Sequence, residues 1–308
     1  MLKETLLSNI NNVEKIASAS KLVRMLGRPI KYIDAISFRE FRYKKTKKEK
    51  EISCSTFFGT EMNVLLPSST DIYLTGGKSH DSEIRLARYI INTLNQGDTF
   101  MDIGAHYGYF SLLASSIVGD GGRVISFEAA PKTYRILNKN ASKVSNINVH
   151  NNAVSDTTGT LSFYEFPNLY SEYNTLDVSQ FENEEWYKNS KPQEIKIESI
   201  VLDNFLTQTN TNPTLIKIDV EGAEYKVISG MKNHLHNNNP IIVMEYLSDD
   251  RSNDMHIQAE RHLHSENYNS FLIDKKGHLI KADNISQYLQ SNNLESDNVV
   301  FVKSTSES

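Results

Sequence analysis

The chain of 308 residues has a single cysteine, Cys54, so no intrachain disulfide can form and nothing points to an oxidising compartment. Long apolar runs are missing as well. The opening "MLKETLLSNINNVEKIAS" lacks an apolar core of signal-peptide length, and no window approaches the roughly 20 apolar residues of a membrane helix. These absences predict a soluble, cytoplasmic protein. There is no internal repeat and no long low-complexity tract; the closing "STSES" reads as a frayed tail. An excess of positive charge is absent too, since the net charge is -5, and nucleic acid is therefore not the default partner.

What charge there is lies unevenly. Residues 1–50 carry thirteen Lys and Arg against five Asp and Glu, leaving -13 for the remainder. This segment reads as helical, with Leu22, Val23, Leu26, Ile30, Ile33 and Ile36 at roughly helical spacing before the charge run "RYKKTKKEK". Its plain reading is a packing helix pair with a solvated basic face. Its sharper reading is a peripheral contact with anionic lipid or a glycolipid-linked substrate. Residues 51–77 predict a β-hairpin and a third strand, with Gly59, Pro67 and Gly76-Gly77 as punctuation.

From residue 79 a helix with an apolar stripe of Ile84, Ala87, Ile90, Ile91 and Leu94 leads into "TFMDIGAHYGYF". Strands and helices then alternate: strand 99–104, helix 107–118, "RVISFEA", helix 131–144, "INVHNNAV", a hairpin "TGTLSFYEF", "IKIESI", "TLIKIDV", helix 222–232, "PIIVMEY" and helix 254–266. The chain closes on "SFLIDKKGHLI" and "NVVFVKS", which predict an antiparallel hairpin. This order predicts an α/β, doubly wound, mostly parallel sheet with helices on both faces. Two units follow: an N-terminal helical and β-hairpin extension, 1–78, and an α/β domain, 79–308.

Ligands of such sheets sit beyond the carboxyl ends of the strands. Four strand ends offer polar groups there. In Asp102-Ile-Gly104-Ala105-His106-Tyr107-Gly108 the glycines lie four apart, which is not the G-x-G-x-x-G dinucleotide fingerprint. The acid disfavours a phosphate and suits an ammonium, while N–H groups at the following helix start can take a carboxylate. Glu128 stands where an acid can accept hydrogen bonds from two ribose hydroxyls, though any strand can end in Glu. In "HNNAVSD", Asn152 and the Ala153 backbone are placed to read an adenine edge, or simply to make a turn. An amino-acid tail joined to adenosine is S-adenosylmethionine. In "LIKIDVEGAEY", Lys217, Asp219 and Glu221 share one side at period two before Gly222 turns the backbone. Two acids and a lysine there either pair structurally or work.

Together "FMDIGAHYGYFSLLAS", "VISFEAAPKTYRIL", "NNAVSDTTGTLSFY", "ESIVLDNFL" and "LIKIDVEGAEYKVISGM" make residues 80–250 resemble the FkbM family of S-adenosylmethionine-dependent methyltransferases. The resemblance implies a class I, Rossmann-like, seven-stranded sheet and O-methylation of a sugar, glycan, glycolipid or secondary metabolite. It places cofactor contacts on Asp102, Gly104, Ala105, His106, Tyr107, Gly108, Glu128, Ala129, Asn152, Ala153 and Asp219. The family often has Asn where this chain has His106, so the role of that side chain stays open. The activated methyl donor leaves the enzyme alignment and removal of a hydroxyl proton. Asp219 is the first base candidate, Glu221 and Lys217 orient or polarise, and His106 is a further base candidate.

Acceptor-side candidates are Glu83, Tyr109, Asn174 and Glu245; His80 and Glu83 also suit a helix cap. A Mg²⁺ held by Asp219 with Glu221 or Glu245 is a variant without a compact metal signature behind it. Residues 165–194, rich in Tyr and Asn and holding Trp186, suit a polyhydroxylated acceptor or an ordinary surface excursion. Two other classes compete: an N-methyltransferase, which would favour an Asn/Asp-Pro-Pro-Tyr turn where this chain has Asp219-Val-Glu-Gly222, and a non-catalytic binding module. Oligomeric state is left open.

Overall fold

The computed structural model describes residues 1–182, 184–251 and 253–304, and all of the "STSES" tail but Ser304 lies outside them. The N-terminal elements are α1 (Leu2–Ser18), α2 (Lys21–Gly27), α3 (Pro29–Ser37), a π-helical stretch Phe38–Tyr43, and α4 (Lys44–Thr46). β1 (Lys50–Ser55) and β2 (Glu61–Leu66) follow as the expected hairpin, Lys50 facing Leu66.

The expected third strand is instead a helix, α5 (Thr70–Thr75), closed by Gly76 at φ +83°. Ile72 and Thr75, three apart, go inside together, and the Asp71 carboxylate accepts the Ile72 N–H at 2.8 Å. Local contacts override the strand preference of Ile-Tyr-Leu-Thr.

The α/β part comprises α6 (Asp81–Thr93), β3 (Thr99–Ile103), α7 (Tyr109–Val118), β4 (Arg123–Phe127), α8 (Pro131–Ala141), β5 (Ile147–His150), β6 (Ala153–Val154) and β7 (Gly159–Glu165). It continues with α9 (Glu185–Asn189), β8 (Gln193–Ile200), α10 (Leu202–Thr209), β9 (Leu215–Ile218), α11 (Glu224–Ser229), α12 (Lys232–Asn237) and β10 (Ile241–Leu247). It ends with α13 (Asp254–Ser265), β11 (Tyr268–Ile273), β12 (Leu279–Lys281), α14 (Ile285–Ser291) and β13 (Ser296–Lys303).

Eight strands form the main sheet in the order β12-β11-β13-β10-β9-β3-β4-β5. β10, β9, β3, β4 and β5 are parallel, while β13, β11 and β12 run antiparallel at one end. The doubly wound α/β class is as expected, with one more strand: "SFLIDKKGHLI" is itself the β11–β12 hairpin, and α14 intervenes before β13. "IKIESI" does not join this sheet. As β8 it pairs with β7 and β6 in a separate three-stranded sheet, so "TGTLSFYEF" contributes one strand rather than a hairpin. The expected single helix 222–232 is split into α11 and α12, and α10 was not anticipated.

Period-two alternation divides the core. Phe100 and Leu215 belong to the layer under α6 and α7, and Met101, Ile103, Ile216 and Ile218 to the opposite layer with Val227 and Leu263. Leu6, Ile10 and Val13 of α1, at i, i+4, i+7, enter the first layer, so the extension shares a core with the α/β body. Among the described residues no helix is long and apolar enough to cross a membrane.

Candidate active site

β3 and β9 are neighbours although more than a hundred residues apart, and the connections leave them in opposite directions. The crevice at their carboxyl ends is the switch point of the sheet. A cavity of about 640 Å³ opens there, enough for a nucleoside-sized ligand and an acceptor.

Its floor is the turn after β3. Gly104 takes φ +78°, and a Cβ on it would lie 1.7 Å from the Asp219 carbonyl oxygen, so only glycine lets the turn run this close to the end of β9. His106 (φ +50°) and Gly108 (φ +86°) complete the bend into α7. Glu128, at the end of β4, straps the bend: its carboxylate accepts the His106 N–H at 2.8 Å and the Ala130 N–H at 2.9 Å. The His106 ring hydrogen-bonds Ser171 Oγ through Nε2 at 3.0 Å, and burial lowers its pKa to about 4. At neutral pH it is an uncharged imidazole.

The ends of β3 and β9 supply the charges. Register sets Asp102 directly opposite Lys217, which accounts for their meeting. Lys217 is 2% exposed; its Nζ lies 3.0 Å from Asp219 Oδ2 and 3.6 Å from Asp102 Oδ1. Burial works against the ammonium, but Asp219 and then Asp102 outweigh it and raise its pKa. Burial likewise opposes the Asp219 carboxylate, yet Lys217 and then Lys78 hold its pKa below the ordinary value.

Asp219 faces two further acids. Carboxylate oxygens of Asp219, Glu221 and Glu245 can lie within 4.8 Å of one another. Burial, then the neighbouring Asp219, pushes Glu245 up to about 8; burial, then Glu245 and Asp219, pushes Glu221 well above its usual range. One ionised acid thus sits among two protonated ones, a distribution like charges at short range impose. Glu221 arrives by a left-handed turn (φ +53°), its carbonyl accepting from Thr175 Oγ1 at 2.7 Å and Gln180 Nε2 at 2.7 Å.

Of the residues expected at the site, Gly104, His106, Glu128, Ala129, Asn152, Ala153, Lys217, Asp219, Glu221, Glu83, Asn174 and Glu245 line the cavity. Asp102 does not. Its Oδ2 accepts from Ser111 Oγ at 2.6 Å, so the ammonium it faces is the chain's own Lys217. Ala105 and Gly108 form the turn behind the wall, and Tyr107 points its hydroxyl at Asn168 (3.0 Å). Tyr109 is packed among Phe57, Phe58 and Phe110, away from the cavity. Trp186 stacks on Tyr170 (centroids 4.4 Å apart) and Tyr173 (5.1 Å), and of these three Tyr173 reaches the cavity.

The lining residues that were not anticipated include the charged Lys78, Glu172 and Arg251. Lys78 pairs with Glu83 and lies 3.4 Å from Glu172, across 94 positions of sequence. Asn174 Oδ1 accepts the Phe166 N–H at 2.7 Å, leaving its buried Nδ2 without a partner in the cavity wall. Such a donor needs a ligand or water to satisfy it.

A pH dependence follows. Burial pushes Glu128 up to about 8 against the N–H donors of Ala130 and His106, and Glu245 also stands at about 8. Both bind protons more tightly folded than unfolded. Their stabilising contribution is full below the ordinary value of 4.5 and is lost as pH rises through about 8. The melting temperature should fall by roughly 5–10 °C between about pH 5 and pH 9, and Glu128→Gln should flatten that fall. A melting temperature that climbs across the window would show these acids to be ionised.

The sequence matches the model of the methyltransferase FkbM domain over residues 102–270. Comparison with curated proteins gives no match. Among solved structures the chain is similar to methyltransferase FkbM from Methylobacillus flagellatus KT, at 15% identity over 76% of this chain and 52% of that one, TM-score 0.42. It thus spans about half the length of that protein. It is also similar to precorrin-6y C5,15-methyltransferase from Geobacter metallireducens GS-15, at 14% identity over 72% of this chain and 88% of that one, TM-score 0.40. A third is the O-methyltransferase from Bacillus cereus in complex with SAH, at 14% identity over 71% and 80%, TM-score 0.38. A domain match over more than half of the chain, on a doubly wound sheet with its crevice at β3 and β9, makes this protein a member of the FkbM family of S-adenosylmethionine-dependent methyltransferases.

Proposed function

We propose that the protein methylates a hydroxyl oxygen on a sugar, glycan, glycolipid or polyhydroxylated secondary metabolite. The observation that carries this reading is Asp219, an ionised carboxylate held by Lys217 on the cavity wall beside the β3 turn. When bound, S-adenosylmethionine supplies a methyl group already activated as a sulfonium. The donor set fits that cofactor: a close-approach glycine turn at 104–108, the Glu128 carboxyl group for the ribose, and Asn152 with the Ala153 backbone beside it for the adenine.

The chain's own residues then have one proton to manage. Asp219 would accept it from the acceptor hydroxyl, and Lys217 keeps Asp219 ionised and fixes its direction. Glu245 and Glu221, protonated, donate hydrogen bonds to the acceptor's oxygens, as does Asn174 through Nδ2. His106, uncharged and tied to Ser171, orients the turn rather than serving as base. A Mg²⁺ on Asp219 with Glu221 or Glu245 is disfavoured because the Lys217 ammonium, 3.0 Å from Asp219 Oδ2, already balances that charge.

Titration calorimetry with S-adenosylmethionine, followed by labelled methyl transfer to oligosaccharide and polyol acceptors, tests the reading. Binding, and transfer that survives EDTA, is expected. A folded protein that does not bind the cofactor would leave only a non-catalytic module, and transfer to amines alone would make it an N-methyltransferase.

A further inference from the structure

The N-terminal segment packs in part, through α1 and the inner side of α3, and leaves an apolar face uncovered. α2 buries none of its residues, and Leu22, Val23, Leu26, Ile30, Ile33 and Phe41 stand between 58% (Val23) and 83% (Ile30) exposed. Among the described residues, only Leu279 and Ile280 add large exposed apolar side chains beyond residue 41. α3 is apolar on both sides: Tyr32 and Ala35 turn inward, while Ile30, Ile33 and Ile36, stepping by three, turn outward. A contiguous apolar face on an otherwise ordinary surface marks an interaction site.

The face is fixed to the body. Arg28 donates from Nη1 to the Leu74 carbonyl at 2.6 Å, Lys31 Nζ donates to the Tyr73 carbonyl at 3.3 Å, and Lys50 pairs with Asp34 at 2.7 Å. Phe38 and Tyr43 pack on Leu66, and the Tyr43 hydroxyl accepts the Leu169 N–H at 3.2 Å. Leu169 belongs to the short stretch Asn168–Tyr173 that brings Ser171 and Glu172 to the cavity, so the platform abuts a wall of the active site.

Charge selects the occupant. Residues 21–48 hold ten Lys and Arg against Asp34 and Glu40, and both acids are already paired, Glu40 with Lys44 and Asp34 with Lys50 just beyond the segment. Two copies meeting face to face would set one cationic rim against another. An anionic bilayer offers the reverse: acyl chains for the apolar centre, phosphates for the rim.

We propose that α2, α3 and the run to Lys48 dock this protein on an anionic membrane surface, lying in the headgroup plane. The inference stands apart from the chemistry assigned to the cavity. Full-length protein should co-sediment with vesicles of phosphatidylcholine mixed with phosphatidylglycerol, more weakly as salt is raised, and little with phosphatidylcholine alone. Leu26→Asp with Ile30→Asp should cut that partition by about tenfold or more. Melting temperature and cofactor binding should hold, since neither side chain enters the core. Equal binding to both vesicle types, or partition unmoved by the double substitution, would overturn the proposal. So would a dimer that the double substitution dissociates in a protein that ignores vesicles; the face would then belong to a second copy.

Discussion

Asp219→Asn is expected to bind S-adenosylmethionine as the unsubstituted protein does and to lose turnover by about 10²- to 10⁴-fold, the usual worth of a positioned base. The substitution keeps size and shape at a side chain 34% exposed, so the fold has little reason to change. An amide cannot take a proton, and it leaves Lys217 with Asp102 at 3.6 Å as its one close acid. The loss should fall on kcat rather than on cofactor affinity, because Asp219 is assigned to the acceptor's proton. Unchanged turnover on the true acceptor would remove Asp219 from the mechanism. A loss of cofactor binding alone would make it a binding residue. His106→Asn, at a position held in the left-handed region, is the control: it should cost far less if the imidazole only orients the turn.

Much of this site is legible in the sequence because one-dimensional patterns place it. Turn glycines, an acid ending the next strand and alternation in Lys217 and Asp219 need only local rules to be set on one edge of one sheet. The pairing of Asp102 with Lys217 needs the register of β3 against β9, which no local pattern carries; the acid therefore reads as a ligand for an incoming ammonium when the chain supplies its own. Lys78 is brought in by the loop before α6, and Glu172 and Arg251 by the short 3-10 stretches Asn168–Tyr173 and Asp249–Arg251, where spacing says nothing about what meets what. The same limit explains the fold's departures. "IYLT" has strand propensity, and only its packing against the hairpin and α3 makes it helical; "IKIESI" looks like a sheet strand and is one, but in a different sheet. The apolar spacing of Leu22 to Ile36 is real, and what it faces is solvent. Periodicity identifies a face without naming what covers it.

Lys217→Met should be the most destabilising single change at the site, at about 3–5 kcal/mol, because it removes one partner of a buried ion network rather than the whole of it. Asp102, 1% exposed, would keep Ser111 as a donor and lose the Lys217 ammonium; Asp219 would face Glu221 and Glu245 with Lys78 left to oppose them. At roughly 2–4 °C per kcal/mol for a chain of this size, a melting temperature drop of about 10 °C is expected at neutral pH. The sign of its pH dependence separates this cause from lost packing. Without the ammonium, burial of the Asp219 carboxyl loses its largest counterweight and its pKa rises, so the folded state gains a proton relative to the unfolded one, and the deficit should shrink as pH falls toward about 5. A packing defect would be indifferent to pH. Asp102→Asn placed on Lys217→Met should recover part of the loss, whereas on the unsubstituted protein it should destabilise. Opposite signs in the two backgrounds are what a coupled pair gives, and simple additivity would mean that the two side chains act independently.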